Sequence, residues 1–128
     1  MKAYDPAVAP DPVEWLELDE QHRIHLAERY HQAARIELPN AKAHAVFHAI
    51  VENQLAEGLE SVVRAMERLT GQGLSRHDAV HAIGSVVADQ LYEMMKAEDE
   101  DHASASQARY NAAVERLPAK EWRQKYES

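Results

Sequence analysis

With 128 residues, a formal net charge of −8 and no cysteine, the chain has the length of one domain and lacks a disulfide framework, a thiolate nucleophile and any cysteine metal ligand. The acidic balance argues against nucleic acid, whose phosphates need clustered cations; no stretch approaches the roughly 20 apolar residues of a membrane span, and Met1 to Pro12 lacks the basic-then-apolar layout of a signal peptide. A cytoplasmic protein is expected, with neither nucleic acid nor membrane as partner, in which any metal site is built from histidine and carboxylate.

Four glycines and long segments filled with Ala, Leu, Glu, Gln, Arg and Met predict an all-α fold. The expected architecture is a compact bundle of four to five helices with short helical turns at either end. Residues 1–10, with Pro6 and Pro10, read as an N-terminal arm, and 11–128 as a single bundle domain. Asp11-Pro12-Val13-Glu14 has a capping Asp, a Pro at the first helical position and an early Glu, so a short helix carrying Trp15, Leu16 and Leu18 opens there. A longer helix from Asp19 to about Leu38 follows, with Ile24, Ala27, Ala34 and Leu38 on one face. Pro39-Asn40 breaks it and caps the next helix, about Ala41 to Glu57, which Gly58 stops. A further helix to about Thr70 carries Val62, Val63, Met66 and Leu69, and Gly71-Gln72-Gly73 ends it. Ser75 caps a helix to about Ala97, an acidic stretch (Glu98 to Asp101) leads into a helix over about 103–117, and Pro118 starts a last turn holding Trp122 and Tyr126.

One segment echoes another. His44-Ala-Val-Phe-His48-Ala49-Ile50 returns 33 residues later as His77-Asp-Ala-Val-His81-Ala82-Ile83. Residues four apart on a helix lie about 40° apart in rotation and one turn apart along the axis, so each HxxxH can aim two imidazoles at one point. Both pairs fall at the rim of their helix's apolar arc: Val46, Phe47, Ile50, Val51 and Leu55 in the first, Val80, Ile83, Val87, Leu91 and Met94 in the second. If neighbouring helices alternate in direction, the two HxxxH helices run parallel and their histidines meet at one end of the bundle. His31 then arrives at a similar depth, and Glu28 meets Glu52 a turn or two deeper. His22, His25 and His102 fall elsewhere and read as surface residues. Gly84-x-x-x-Ala88 reads as a place where another helix approaches closely.

These residues carry resemblances. His44-x-x-x-His48…Glu52 with Arg76-His77-Asp78-Ala79-x-His81-Ala82-Ile83 resembles a group of small bacterial helical proteins known only as a domain of unknown function, over roughly residues 15 to 97. More loosely, the chain is similar to hemerythrin-like bundles, in which a His-x-x-x-Glu helix and a His-x-x-x-His helix help hold two irons that bind oxygen. His48-x-x-x-Glu52 and His77-x-x-x-His81 match those elements, and the likeness implies His25 or His31 as the ligand from the first helix. The closing His-x-x-x-x-Asp is missing, since Gln107 stands five after His102, and an extra helix separates the two matched elements. Adjacent His77-Asp78 is also similar to the metal-binding pair of HD-type phosphohydrolases, although Asp78 points about 100° away from His77 on a helix.

The expected site is a divalent transition metal held by His44, His48, His77 and His81, with His31 or Glu52 completing or tuning it. Zinc or iron comes first, and nickel, manganese and copper also suit nitrogen and carboxylate ligands. An open coordination position would permit water activation or oxygen chemistry; a closed one would only brace the helices. The alternative is a non-enzymatic interaction module, its histidines a structural or pH-responsive cluster and its apolar rim a homodimer face.

Overall fold

The computed structural model describes residues 1–34, 40–96 and 103–117, without the side chains of 91–96 and 103–106. Among the described residues there are six helices and no strand: α1 (Pro12–Glu17), α2 (Glu20–Ala33), α3 (Ala41–Ala56), α4 (Glu60–Gly71), α5 (Arg76–Lys96) and α6 (Ala103–Arg116). The fold is the expected all-α bundle. No helix among these residues is long and apolar enough to cross a membrane. The predicted acidic stretch, His102, Leu38 and the final turn with Trp122 and Tyr126 lie outside the described residues.

The helix starts are set by side chains that accept the otherwise unpaired first-turn N–H groups. Asp11 accepts from Glu14 N, Asp19 from Gln21 N, Asn40 from Ala43 N and Ser75 from Asp78 N, at 2.9–3.0 Å. The last of these places Asp78 in the first turn of α5. At the far end of α3, Gly58 takes a left-handed φ of 73°, which a Cβ would strain. The long helix over 19–38 is shorter than its pattern suggests: the regular helix closes at Ala33 with Ala34 as its C-cap, and Ala34 is exposed rather than buried.

α3 is the central element, packed against α1, α2, α4 and α5. Two apolar clusters flank it. One joins Val51 of α3 to Val62, Ala65 and Leu69 of α4, Val80, Ile83 and Val87 of α5, and Tyr110 and Val114 of α6. The other joins Ala45 and Ala49 of α3 to Trp15, Ile24, Leu26, Ala27 and Tyr4. With neighbours on all sides, α3 has no broad solvent face. Ala45, Ala49 and Glu52, which lie outside its predicted apolar arc, are buried as fully as Val51. The N-terminal arm is laid into this structure: Tyr4 and Pro6 are buried, and the terminal amine pairs with Glu14 at 3.0 Å.

Gly84 sits against α3, where a Cβ would stand 3.6 Å from Phe47 Cβ and 3.9 Å from Val51 Cγ2. Close approach at this point brings the histidine-bearing faces of α3 and α5 together. The contacts run in opposite order along the two helices, His44 against His81, His48 against both His81 and His77, Glu52 against Arg76. α3 and α5 are thus not parallel, as helices alternating in direction would make them, but meet in the reverse sense.

Candidate metal centre

Five imidazoles from three helices form one ring cluster. His31 of α2 lies edge-on to His44 and His48 with centroids 4.6 and 4.7 Å away, and His77 and His81 of α5 are 4.3 Å apart. Within this cluster, His31, His44, His48 and His81 each offer a ligand nitrogen, and those nitrogens all lie within 4.8 Å of one another. His77 is not one of the four. Its ring packs on His48, His81 and Tyr30, and its Nε2 is buried with no hydrogen-bond partner.

The proton positions follow from the partners. His31 Nδ1 lies 2.8 Å from the Ala27 carbonyl, which can only accept, so Nδ1–H donates. In a neutral ring that leaves the lone pair on Nε2, which is buried and unpartnered. Tyr4 O–H donates to Glu52 Oε2 at 2.5 Å, so its oxygen is free to accept from His48 Nδ1–H at 3.1 Å. His48 Nε2 is thereby also a lone-pair nitrogen. Glu52 is held in turn by both terminal nitrogens of Arg76, at 2.8 and 2.7 Å, and Arg76 also donates to the Pro6 carbonyl at 2.8 Å. A chain thus runs from Arg76 through Glu52 and Tyr4 to His48, fixing which nitrogen of His48 faces the cluster.

The consequence is an excess of lone pairs. His81 Nε2 stands 2.8 Å from both His44 Nε2 and His48 Nε2. A ring nitrogen carries either a proton or a lone pair, never both. With His48 Nε2 unprotonated, both contacts cannot be full hydrogen bonds: either His81 splits one hydrogen bond between two acceptors, or one contact sets two lone pairs or two N–H groups face to face. The unpaired Nε2 of His31 adds a fourth inward nitrogen.

Burial and mutual repulsion disfavour the charged form of His44, His48, His77 and His81. Burial, then the nearby His31 and His77, lowers His44 to about 4; burial, then His77, His44 and His31, lowers His81 to about 3. His48 is lowered further, by burial first and then by its four neighbours. Burial and His31 also lower His77, partly opposed by Asp78, Asp5 and Glu52. Burial and the adjacent Glu52 charge raise Tyr4 well above the usual phenol range, which keeps it a proton donor. For Arg76 burial pulls down, but the Glu52 hydrogen bonds and charge leave it raised.

The sequence-predicted residues therefore separate into three groups. His31, His44, His48 and His81 converge; His77 stands beside them; Glu52 is 1% exposed but engaged by Tyr4 and Arg76 on the far side of His48. Glu28 does not meet Glu52 and pairs with Lys42 at 3.0 Å instead. His22 and His25 are exposed. Tyr4 and Arg76 were not among the predicted site residues. Arg76 had a signal, an α5 cation one residue before the histidine pair, whereas Tyr4 had only a lone aromatic in a Pro-punctuated segment.

A cavity of about 370 Å³ opens between α3 and α5, lined by His44, His48, His81 and the apolar wall of Phe47, Val80, Gly84 and Ala88, with Ser85 beside them. No family model, curated protein or solved structure matches the chain.

Proposed function

We propose that this is a metal-binding protein whose transition-metal ion is held by the Nε2 atoms of His31, His44, His48 and His81, with an open coordination position toward the cavity between α3 and α5. The observation that carries this reading is that His81 Nε2 stands 2.8 Å from both His44 Nε2 and His48 Nε2, two contacts that neutral rings cannot both satisfy with full hydrogen bonds. A cation converts inward lone pairs from a repulsion into ligation. Ligand nitrogens about 2.1 Å from an ion stand about 3.0 Å apart at right angles and about 3.4 Å apart at tetrahedral angles, so the two 2.8 Å pairs need a spread of only a few tenths of an ångström, while wider pairs in the set, within 4.8 Å, close in on the ion.

The neighbouring groups suit the same role. Histidine ligands commonly donate their other N–H to a carbonyl or carboxylate, which fixes ring and tautomer. His31 does so to Ala27, and His48 does so through Tyr4 to Glu52. Neutral imidazole is the ligating form, and the lowered His44 and His81 favour a ligating cluster over a sensor that titrates near neutrality. An all-imidazole set suits zinc, iron, nickel or copper; manganese prefers the carboxylate that Arg76 and Tyr4 hold away. An ion with an open position polarises a bound water or carbonyl.

Elemental analysis of protein purified without an affinity nickel column tests the reading, with about one transition-metal ion per chain expected. His48→Ala is expected to lose that ion while His22→Ala retains it. No metal as purified, together with no uptake on titration with zinc, iron or cobalt, would overturn the proposal.

A further inference from the structure

The cavity between α3 and α5 is chemically one-sided. Its polar end is the imidazole cluster, and among the described residues Phe47, Val80, Gly84 and Ala88 form its apolar wall. Ser85 does not change this, because its hydroxyl donates to the Ala82 carbonyl of its own helix at 2.6 Å. Among the described residues, no Asp, Glu, Lys or Arg lines the cavity. His31, buried on the cluster, is absent from the lining, so the cluster is closed by α2 on one side and meets the cavity through His44, His48 and His81. At about 370 Å³ the space is within the range of about 300–1,000 Å³ typical of small-molecule sites, which likewise pair apolar walls with a few polar anchors.

Charge then selects the head group. Four neutral imidazoles leave the charge of a divalent ion uncompensated, and Glu52, the one buried carboxylate among the described residues, is already paired with Arg76 at 2.7 Å. An anionic oxygen donor from outside the chain supplies what the site lacks. We propose that the cavity binds a small apolar monocarboxylate, its carboxylate on the ion and its hydrocarbon body along Phe47, Val80 and Ala88. This rests on the metal reading above and adds to it the class of ligand.

The test is a titration of the cobalt(II)-loaded full chain with straight-chain monocarboxylates from acetate to hexanoate, read from the visible cobalt bands. Burying one methylene is worth about 0.8 kcal/mol, so affinity is expected to rise about fourfold per added carbon. In Ala88→Trp, which fills the apolar end without touching a ligand nitrogen, cobalt uptake is expected to persist and the chain-length series to flatten. Ala88→Leu serves the same purpose if the larger side chain prevents folding, with the gain expected to stop at a shorter acid. Cobalt uptake with equal affinity for acetate and hexanoate would overturn the carboxylate inference and leave the metal reading standing. A filled-cavity variant that binds cobalt and keeps the wild-type preference would overturn the siting. No cobalt uptake at all would overturn both.

Discussion

Between α4 and α6 the buried space is mostly hydrocarbon, Val62, Ala65, Leu69 and Val114, with one buried hydroxyl, Ser61, donating to Asn111 Oδ1 at 3.0 Å; Arg68 donates to the Val114 and Leu117 carbonyls at 3.0 and 2.7 Å, closing the end of α6. Between α2, α3 and α5 the corresponding space holds His31, His48 and Glu52, all at most 3% exposed. The first region is stabilised by removing apolar area from water, at about 25 cal/mol per Å² whatever the pH. The second must satisfy each buried nitrogen and oxygen individually, because an unmet one costs about 1–3 kcal/mol. One half of the bundle is therefore held mainly by apolar packing, and the other by the pairing of its buried polar groups.

Acid breaks this symmetry most. His44 and His81 are lowered to about 4 and about 3, below the unfolded value of about 6.5. A depressed histidine contributes stability that is fully present above pH 6.5 and is lost as the pH falls through the folded values, because the unfolded chain takes up protons the folded one refuses. A bound metal ion would lower these values further and add about 4 kcal/mol when free metal is about a thousandfold above its dissociation constant. Melting is expected to be highest and chelator-sensitive near pH 8, and to fall and lose its chelator dependence toward pH 4. A melt that ignores chelator and rises between pH 7 and 6 would mean cationic histidines paired with carboxylates, the opposite sign.

Two core substitutions sharpen the contrast. Glu52→Gln is expected to cost about 3–5 kcal/mol, because it strips a buried ion pair of one partner and leaves Arg76 uncompensated. It is also expected to weaken metal binding, since the Tyr4–His48 link loses its anchor. Leu69→Ala, in the apolar half, is expected to cost about 2–5 kcal/mol through the cavity it leaves, with metal affinity of the folded protein unchanged. Denaturant unfolding paired with metal titration separates the two; equal metal effects would mean the halves are coupled throughout.

The same contrast explains what could be read from the sequence. α4 packs one face and wets the other, so Val62, Val63, Met66 and Leu69 mark its buried or half-buried side directly. α3 packs on every side, and its pattern hides Glu52 and the two alanines that let α2 close. The caps at Asp11, Asp19, Asn40 and Ser75 were local and legible. The HxxxH echo located the cluster, because i and i+4 fix two rings on one face whatever the tertiary order. It could not assign equal parts: with contacts running in opposite order along α3 and α5, His81 meets both His44 and His48, while His77 stands aside and His31 joins the four. Tyr4 reaches His48 and Glu52 across 44 and 48 residues of chain, a separation that carries no periodic signal.

Tyr4→Phe makes the smallest cut through the polar half and the most diagnostic one. It removes one oxygen and leaves the aromatic packing of Tyr4 on Trp15 and Tyr30, at 5.5 and 6.4 Å, in place. Glu52 keeps both hydrogen bonds from Arg76, so the ion pair survives. What is lost is the acceptor for His48 Nδ1–H, and with it the preference for a lone pair on Nε2. The His48 ring can then protonate on Nε2 instead, and that proton must leave before a metal binds. Substituting such a supporting partner typically costs 10–100-fold in metal affinity, against a stability loss of about 1 kcal/mol in the metal-free protein. Competition with a chromophoric chelator measures the first and urea unfolding of the metal-free protein the second. A variant that loses stability but binds metal as tightly as wild type would show that Tyr4 braces the fold and does not orient the ligand.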